Sequence, residues 1–188
     1  MADKEAKAYV RTLVLAALLG FPVAFAAVLF QTAIHDLIHL VWQTIPDEFG
    51  WSQPAWWYVI LVPGLAGLLV AAAVRLPGHG GHSPLEGLGA EPIAPIALSS
   101  ILTAALASLG LGLVLGPEAP LIALGLGLGA LAVRVIRIDG TGAQLLVFAG
   151  AFAAIAALFG GPLVAAFLLF EVTAASGDRK STRLNSSH

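Results

Sequence analysis

The chain has 188 residues, of which 59% are hydrophobic and only 11% charged, and its formal net charge is −2. A soluble domain carries about 25% charged residues, so this balance excludes one and leaves an all-α integral membrane protein. No cysteine is present, which excludes disulfides and thiolate metal sites. The small net charge, with no basic patch, gives no support to nucleic-acid binding.

Residues 1–11 are polar, with Lys4, Lys7 and Arg11 against Asp3 and Glu5, and read as a cytoplasmic N-terminus. Thr12 to Trp42 is a long helical pattern. It exceeds the roughly 20 residues of a span and should tilt or project, with a kink at Pro22. It is too long for a signal-peptide core and lacks a small-residue cleavage pattern, so it reads as a retained span. Its far end carries His35, Asp36 and His39, then Asp47, Glu48, Trp51, Trp56, Trp57 and Tyr58. Such aromatics suit a membrane–water interface. No Lys or Arg lies between Arg11 and Arg75. The positive-inside rule therefore places the N-terminus and Arg75 in the cytoplasm and the Asp47 loop outside.

Val59 to Val74 is the second span, followed by a Gly/His/Pro loop from Pro77 to Pro84. Ile93 to Leu115 is the third long apolar segment. Gly116-Pro117-Glu118-Ala119-Pro120 then interrupts it and places a lone carboxylate between two prolines. Proline suits the first turn of a helix, so a helix begins here. Its first N–H groups and the positive end of its dipole would make an anion site beside Glu118. An ionisable residue within a membrane is functional by default. Leu121 to Val133 reaches only about 20 Å, short of the roughly 30 Å hydrocarbon core, and reads as a half-helix. Arg134 and Arg137 close it on the cytoplasmic side. Ala143 to Leu158 is another short helix, and Phe159-Gly160-Gly161-Pro162 breaks the chain again. Leu163 to Ala175 follows and contains Glu171, read as interfacial. Short helices interrupted by Gly and Pro point to a transporter-type substrate site. Gly125, Gly127 and Gly129 read as packing residues, since small residues let membrane helices approach closely.

Residues 178–188 are polar apart from Leu184. They resemble a sequencing adapter translated in frame, so they are set apart as a non-native tail, with the protein continuing beyond Gly177.

Three stretches resemble the CLC chloride channels and proton-coupled anion exchangers. The family's Gly-Lys/Arg-Glu-Gly-Pro is similar to residues 116–120, with Pro117 and Ala119 as departures. Its Gly-Ser-Gly-Ile-Pro is similar to the loop ending in Ser83-Pro84-Leu85-Glu86-Gly87. Its Phe-Asn-Ala-Pro-Leu-Ala-Gly is similar to Phe159-Gly160-Gly161-Pro162-Leu163-Val164-Ala165. The resemblance covers most of residues 12–177, read as the N-terminal half of such a domain. It implies inverted repeats of tilted and broken helices, a homodimer with one pore per subunit, and anion sites at converging helix N-termini.

The resemblance implies that Glu118 gates the pore, its carboxylate mimicking a bound anion and swinging away when protonated. It implies anion contacts from Gly116, Pro117 and Ala119, and from Gly81 or Ser83, whichever falls nearest the family's anion-contacting serine. The second of the family's paired glutamates aligns with Val172, which favours passive conduction or another proton path. No cofactor is implied beyond chloride, or a similar small anion, as the ligand. The protein is expected in a bacterial inner membrane, and its expected partners are the bilayer, the anion and protons. The family's second half, with its own Gly-x-Phe-x-Pro motif and pore tyrosine, is absent, so a complete pore is not expected from this chain.

The histidines supply a rival. His35 and His39 lie four apart on one helix face and, with Asp36, His79 and His82, suggest a divalent-metal transporter or intramembrane metalloenzyme. The topology opposes it, because it puts His35 and His39 outside and the loop inside. A structural membrane subunit is a third class, in which replacing Glu118 leaves transport unchanged.

Overall fold

The computed structural model describes residues 2–75, 97–113, 116–168 and 170. Helix α1 runs Ala2–His39 and passes into a π-helical turn, Leu40–Thr44, and a short α2, Ile45–Glu48. Helices α3, Trp56–Ala73, α4, Ala97–Gly110, α5, Glu118–Ile136, and α6, Thr141–Phe159, follow. Residues 162–168 form a further helix, α7, which begins at Pro162. No strand occurs among the described residues. Four helical stretches there are long and apolar enough to cross a membrane: Tyr9–Glu48, Trp56–Ala73, Glu118–Ile136 and Thr141–Phe159. This is a multi-pass, all-α membrane architecture.

The element order follows the sequence reading, and three boundaries differ from it. Helix α1 begins at Ala2, so its helix takes in the polar residues before Thr12. Pro22 removes one backbone hydrogen bond but does not end α1. Helix α4 ends at Gly110, before the apolar run that reaches Leu115 does. Gly112, at φ +92°, turns the chain away just after its end. Helix α5 is longer than the expected half-helix, with 19 residues. It gains a first turn containing Glu118 and Pro120, where a proline costs no hydrogen bond. It also gains a last turn containing Arg134, a cation suited to a helix C-terminus, and stops at Arg137 in the left-handed conformation, φ 56°.

Helix directions follow from the contacts. A Cβ on Gly142, near the start of α6, would meet Thr12 Oγ1 at 3.3 Å, while Ala154 joins the core cluster of Phe30 and Ile34. Helices α1 and α6 are therefore parallel. A Cβ on Gly129 would meet Val147 Cα at 2.7 Å, and Gly125 meets Gly150, so α5 runs antiparallel to α6. At this crossing, Gly125 and Gly150 each stand where a Cβ would strike the other's carbonyl oxygen. Gly127 faces the other way, onto Leu98 of α4. These glycines serve packing, as the sequence reading expected.

The main core gathers Val23, Ala27, Phe30 and Ile34 of α1 with Leu109, Leu121, Leu124 and Ala154. The α1 members recur at helical spacing, so one stripe of α1 is buried. Another face, including Leu18, Phe21 and Phe25, is exposed, Phe21 by 78%. Two side-chain bonds tie α3 to its neighbours. Tyr58 Oη donates to the Val41 carbonyl at 2.5 Å, and buried Ser100 Oγ of α4 donates to the Ala73 carbonyl at 2.7 Å.

Candidate functional site

Glu118 is the first residue of α5, and Pro117 caps it with φ −76° and ψ 1°. The two prolines define which donors remain. Neither Pro117 nor Pro120 has an N–H, and the Leu121 N–H bonds the Pro117 carbonyl at 3.1 Å. The free amides at this helix start are therefore those of Glu118 and Ala119. They stand at the positive end of the α5 dipole, where negative charge is favoured by about 0.3–1 kcal/mol at an exposed site.

The Glu118 carboxylate folds back over Gly116 and fills the volume that a Cβ on residue 116 would occupy. Only glycine allows this approach without displacing the acid. Pro117 is half-buried, whereas Gly116, Glu118 and Ala119 are exposed. The 116–120 motif is thus assembled as one unit around the start of α5. Gly81 and Ser83, the expected second anion contact, lie outside the described residues, as do Glu171, His79 and His82.

Pro117 also lines a cavity of about 940 Å³. Its walls come from α1, through Gln31, Thr32 and His35, from Trp42 of the π-helical turn, and from Gly112 after α4. Among the described residues, α5 is the only helix presenting its N-terminus to this cavity. The Gly81–Ser83 stretch, which the resemblance sets beside the α5 start, lies outside the described residues. The indole Nε1 of Trp42 is buried, and among the described residues it has no hydrogen-bond partner. Gln31, Thr32 and Trp42 were not singled out by the sequence reading. The signal was available, because polar residues at 31, 32 and 35 interrupt an otherwise apolar span.

A second cavity of about 410 Å³ is lined by His35, Asp36, His39, Leu40 and Thr44. Thr44 Oγ1 lies 3.3 Å from His39 Nδ1. Among the described residues, no group of three His, Cys, Asp or Glu side chains is placed to hold a metal ion.

Comparison with known proteins gives the same direction. A family model described as "Voltage gated chloride channel" matches residues 89–184. "Putative ion-transport protein YfeO" of Salmonella newport is 32% identical over 145 residues, covering 73% of this chain and 34% of that protein. The protein of the same name from Salmonella typhimurium matches to the same extent. The chain thus spans about a third of the length of the curated relatives it matches. No solved structure matches it.

Proposed function

The chain belongs to the voltage gated chloride channel family, and from that premise we propose that it carries the gated anion site of a membrane transport protein. The gate is Glu118. Its ionised carboxylate occupies the position of a permeant anion at the head of α5, and protonation releases that position. The anion is chloride or a similar small ion, held by the Glu118 and Ala119 amides beside Gly116 and Pro117. Gly81 or Ser83 supplies a further contact. The protein works as a transporter rather than an enzyme, in a bacterial inner membrane and as a homodimer, with protons acting on the gate.

The observation that carries this reading is the carboxylate folded over Gly116 at the α5 N-terminus. An acid held where an anion is electrostatically favoured competes with that anion. Charge polarity supports the orientation. Arg11 lies at the α1 start, level with the α6 start, and Arg134 and Arg137 close α5 at the same end. Asp36, Asp47 and Glu48 lie toward the other end, with Glu118. The positive-inside rule makes the arginine end cytoplasmic, so Glu118 faces outward.

The test is anion efflux from liposomes carrying the full-length protein that contains this chain, with Glu118 native or replaced in Glu118→Gln. The variant is expected to lose the pH dependence of flux. An unchanged profile rejects Glu118 as the gate.

A further inference from the structure

Three arginines from two helices come to one end of the bundle. A Cβ on Gly142 of α6 would lie 3.3 Å from Thr12 Oγ1 and 3.1 Å from Ile138 Cγ2. Arg11 directly precedes Thr12, and Arg137 directly precedes Ile138. The junction of α1, α5 and α6 is therefore flanked by two arginines, with Arg134 one turn back along α5. All three are exposed, and none forms an ion pair among the described residues. Lys7 stands one turn before Arg11 on the same face of α1. The acid at the junction is Asp139, also exposed. Glu5 lies further out, about 9 Å from Arg11 along the helix axis, and Asp3 beyond it.

The backbone at Arg137 adds a second, independent observation. Arg137 is the only non-glycine with positive φ among the described residues, at 56°. It ends α5 in the left-handed conformation, where its N–H bonds the Val133 carbonyl. Glycine is the usual residue at such a helix end, because a Cβ is penalised there. The left-handed end of α6 does have one, Gly160. A backbone held against its preference points to a use for the side chain it carries.

We propose that this junction docks the phosphate of an anionic phospholipid, with Arg11, Arg134 and Arg137 as the donors. The guanidinium fork matches a pair of phosphate oxygens. The surroundings select a lipid over a soluble phosphate. Val10, Leu13 and Val14 of α1 and Leu131 and Val135 of α5 are exposed within a turn of the arginines, Val135 by 74%. Acyl chains can lie on that apolar surface while the headgroup meets the guanidinium groups. The positive-inside rule sets this end in the inner leaflet, where basic sites between membrane helices take anionic headgroups. The site stands at the opposite end of α5 from Glu118 and does not depend on the gate.

The test is native mass spectrometry of the full-length protein that contains this chain. It is titrated in detergent with phosphatidylglycerol, with phosphatidylcholine and with inorganic phosphate. Phosphatidylglycerol should be retained at least about tenfold more strongly than phosphatidylcholine, and millimolar phosphate should not displace it. Arg137→Gly suits the left-handed backbone and removes the guanidinium. It should keep the melting midpoint while lowering phosphatidylglycerol retention about fivefold, the worth of one arginine near an anionic headgroup. Arg11→Gln should act in the same direction. Arg75→Gln removes the same charge just past α3, which packs on α4, and should leave retention unchanged.

Equal retention of the two lipids overturns the site, and so does an equal loss in all three variants. Displacement by phosphate overturns the lipid and assigns the arginines to a soluble anion. A lower melting midpoint in Arg137→Gly with unchanged lipid retention makes that residue structural and overturns its role. Flux is not read in this experiment, so a failed Glu118 gate and an empty lipid site are separate results.

Discussion

The carboxylate of Glu118 and the α-carbon of Gly116 are in such close approach that a methyl group on residue 116 would collide with the acid. The glycine therefore sets where the charge sits. Gly116→Ala is expected to push the carboxylate off the α5 N-terminus while leaving the helix itself intact, because residue 116 precedes the helix and is exposed. Anion flux at neutral pH should rise toward that of Glu118→Gln. Efflux assays at matched protein density check this, and wild-type flux in Gly116→Ala removes the coupling between the two residues.

The α5–α6 crossing is expected to be the least tolerant place in the described chain. A Cβ on Gly125 or Gly150 meets backbone carbonyl oxygen rather than a mobile side chain. Backbone cannot yield as a rotamer does, so the helices must separate. Gly125→Ala and Gly150→Ala should each cost about 1–3 kcal/mol. Gly64→Ala on α3, where no atom lies within 4 Å of the added methyl, serves as control. Thermal unfolding in detergent is the measurement, with a lower midpoint for the first two and none for the third.

Ser100 is buried and satisfies the carbonyl of Ala73 at the end of α3. Ser100→Ala leaves that carbonyl without its partner, at a cost of about 1–3 kcal/mol. Ser108→Ala removes only a bond within its own helix, to Ala105, and should cost less. Urea or thermal titration of the two variants side by side distinguishes them.

Trp42 and Tyr58 touch edge to face, with ring centroids 5.8 Å apart, yet their polar atoms differ in standing. Tyr58 Oη has the Val41 carbonyl, whereas Trp42 Nε1 is buried and has no partner among the described residues. Tyr58→Phe should therefore destabilise by about 0.5–1.5 kcal/mol. Trp42→Phe loses no hydrogen bond and should fall nearer to neutral. Melting midpoints in one detergent check the order of the two.

The sequence made the helices and the motif legible for a simple reason. Apolar runs of span length and paired prolines are local signals, and Pro117 and Pro120 mark a helix start within this motif. Helix lengths were harder to read. Glu118 and Arg134 look like limits to an apolar run, but each charge suits the helix end where it lies, so α5 extends through both. The cavity wall was not read at all. The polar breaks at Gln31, Thr32 and His35 are a local signal, but the pocket they line forms only where Gly112 and Pro117 stand opposite them. His35 and His39 are spaced as a metal pair would be, and in the fold His35 lines both pockets.

The most direct test of the gate is chloride efflux from liposomes measured across pH for the full-length protein that contains this chain and for its Glu118→Gln variant. Wild-type flux is expected to rise as pH falls, because protonation removes the charge that competes with the anion. The variant, neutral at every pH, is expected to conduct at neutral pH as the wild type does in acid, with a flat profile. A variant that keeps the wild-type rise in acid, at wild-type rates, contradicts the gating role of Glu118.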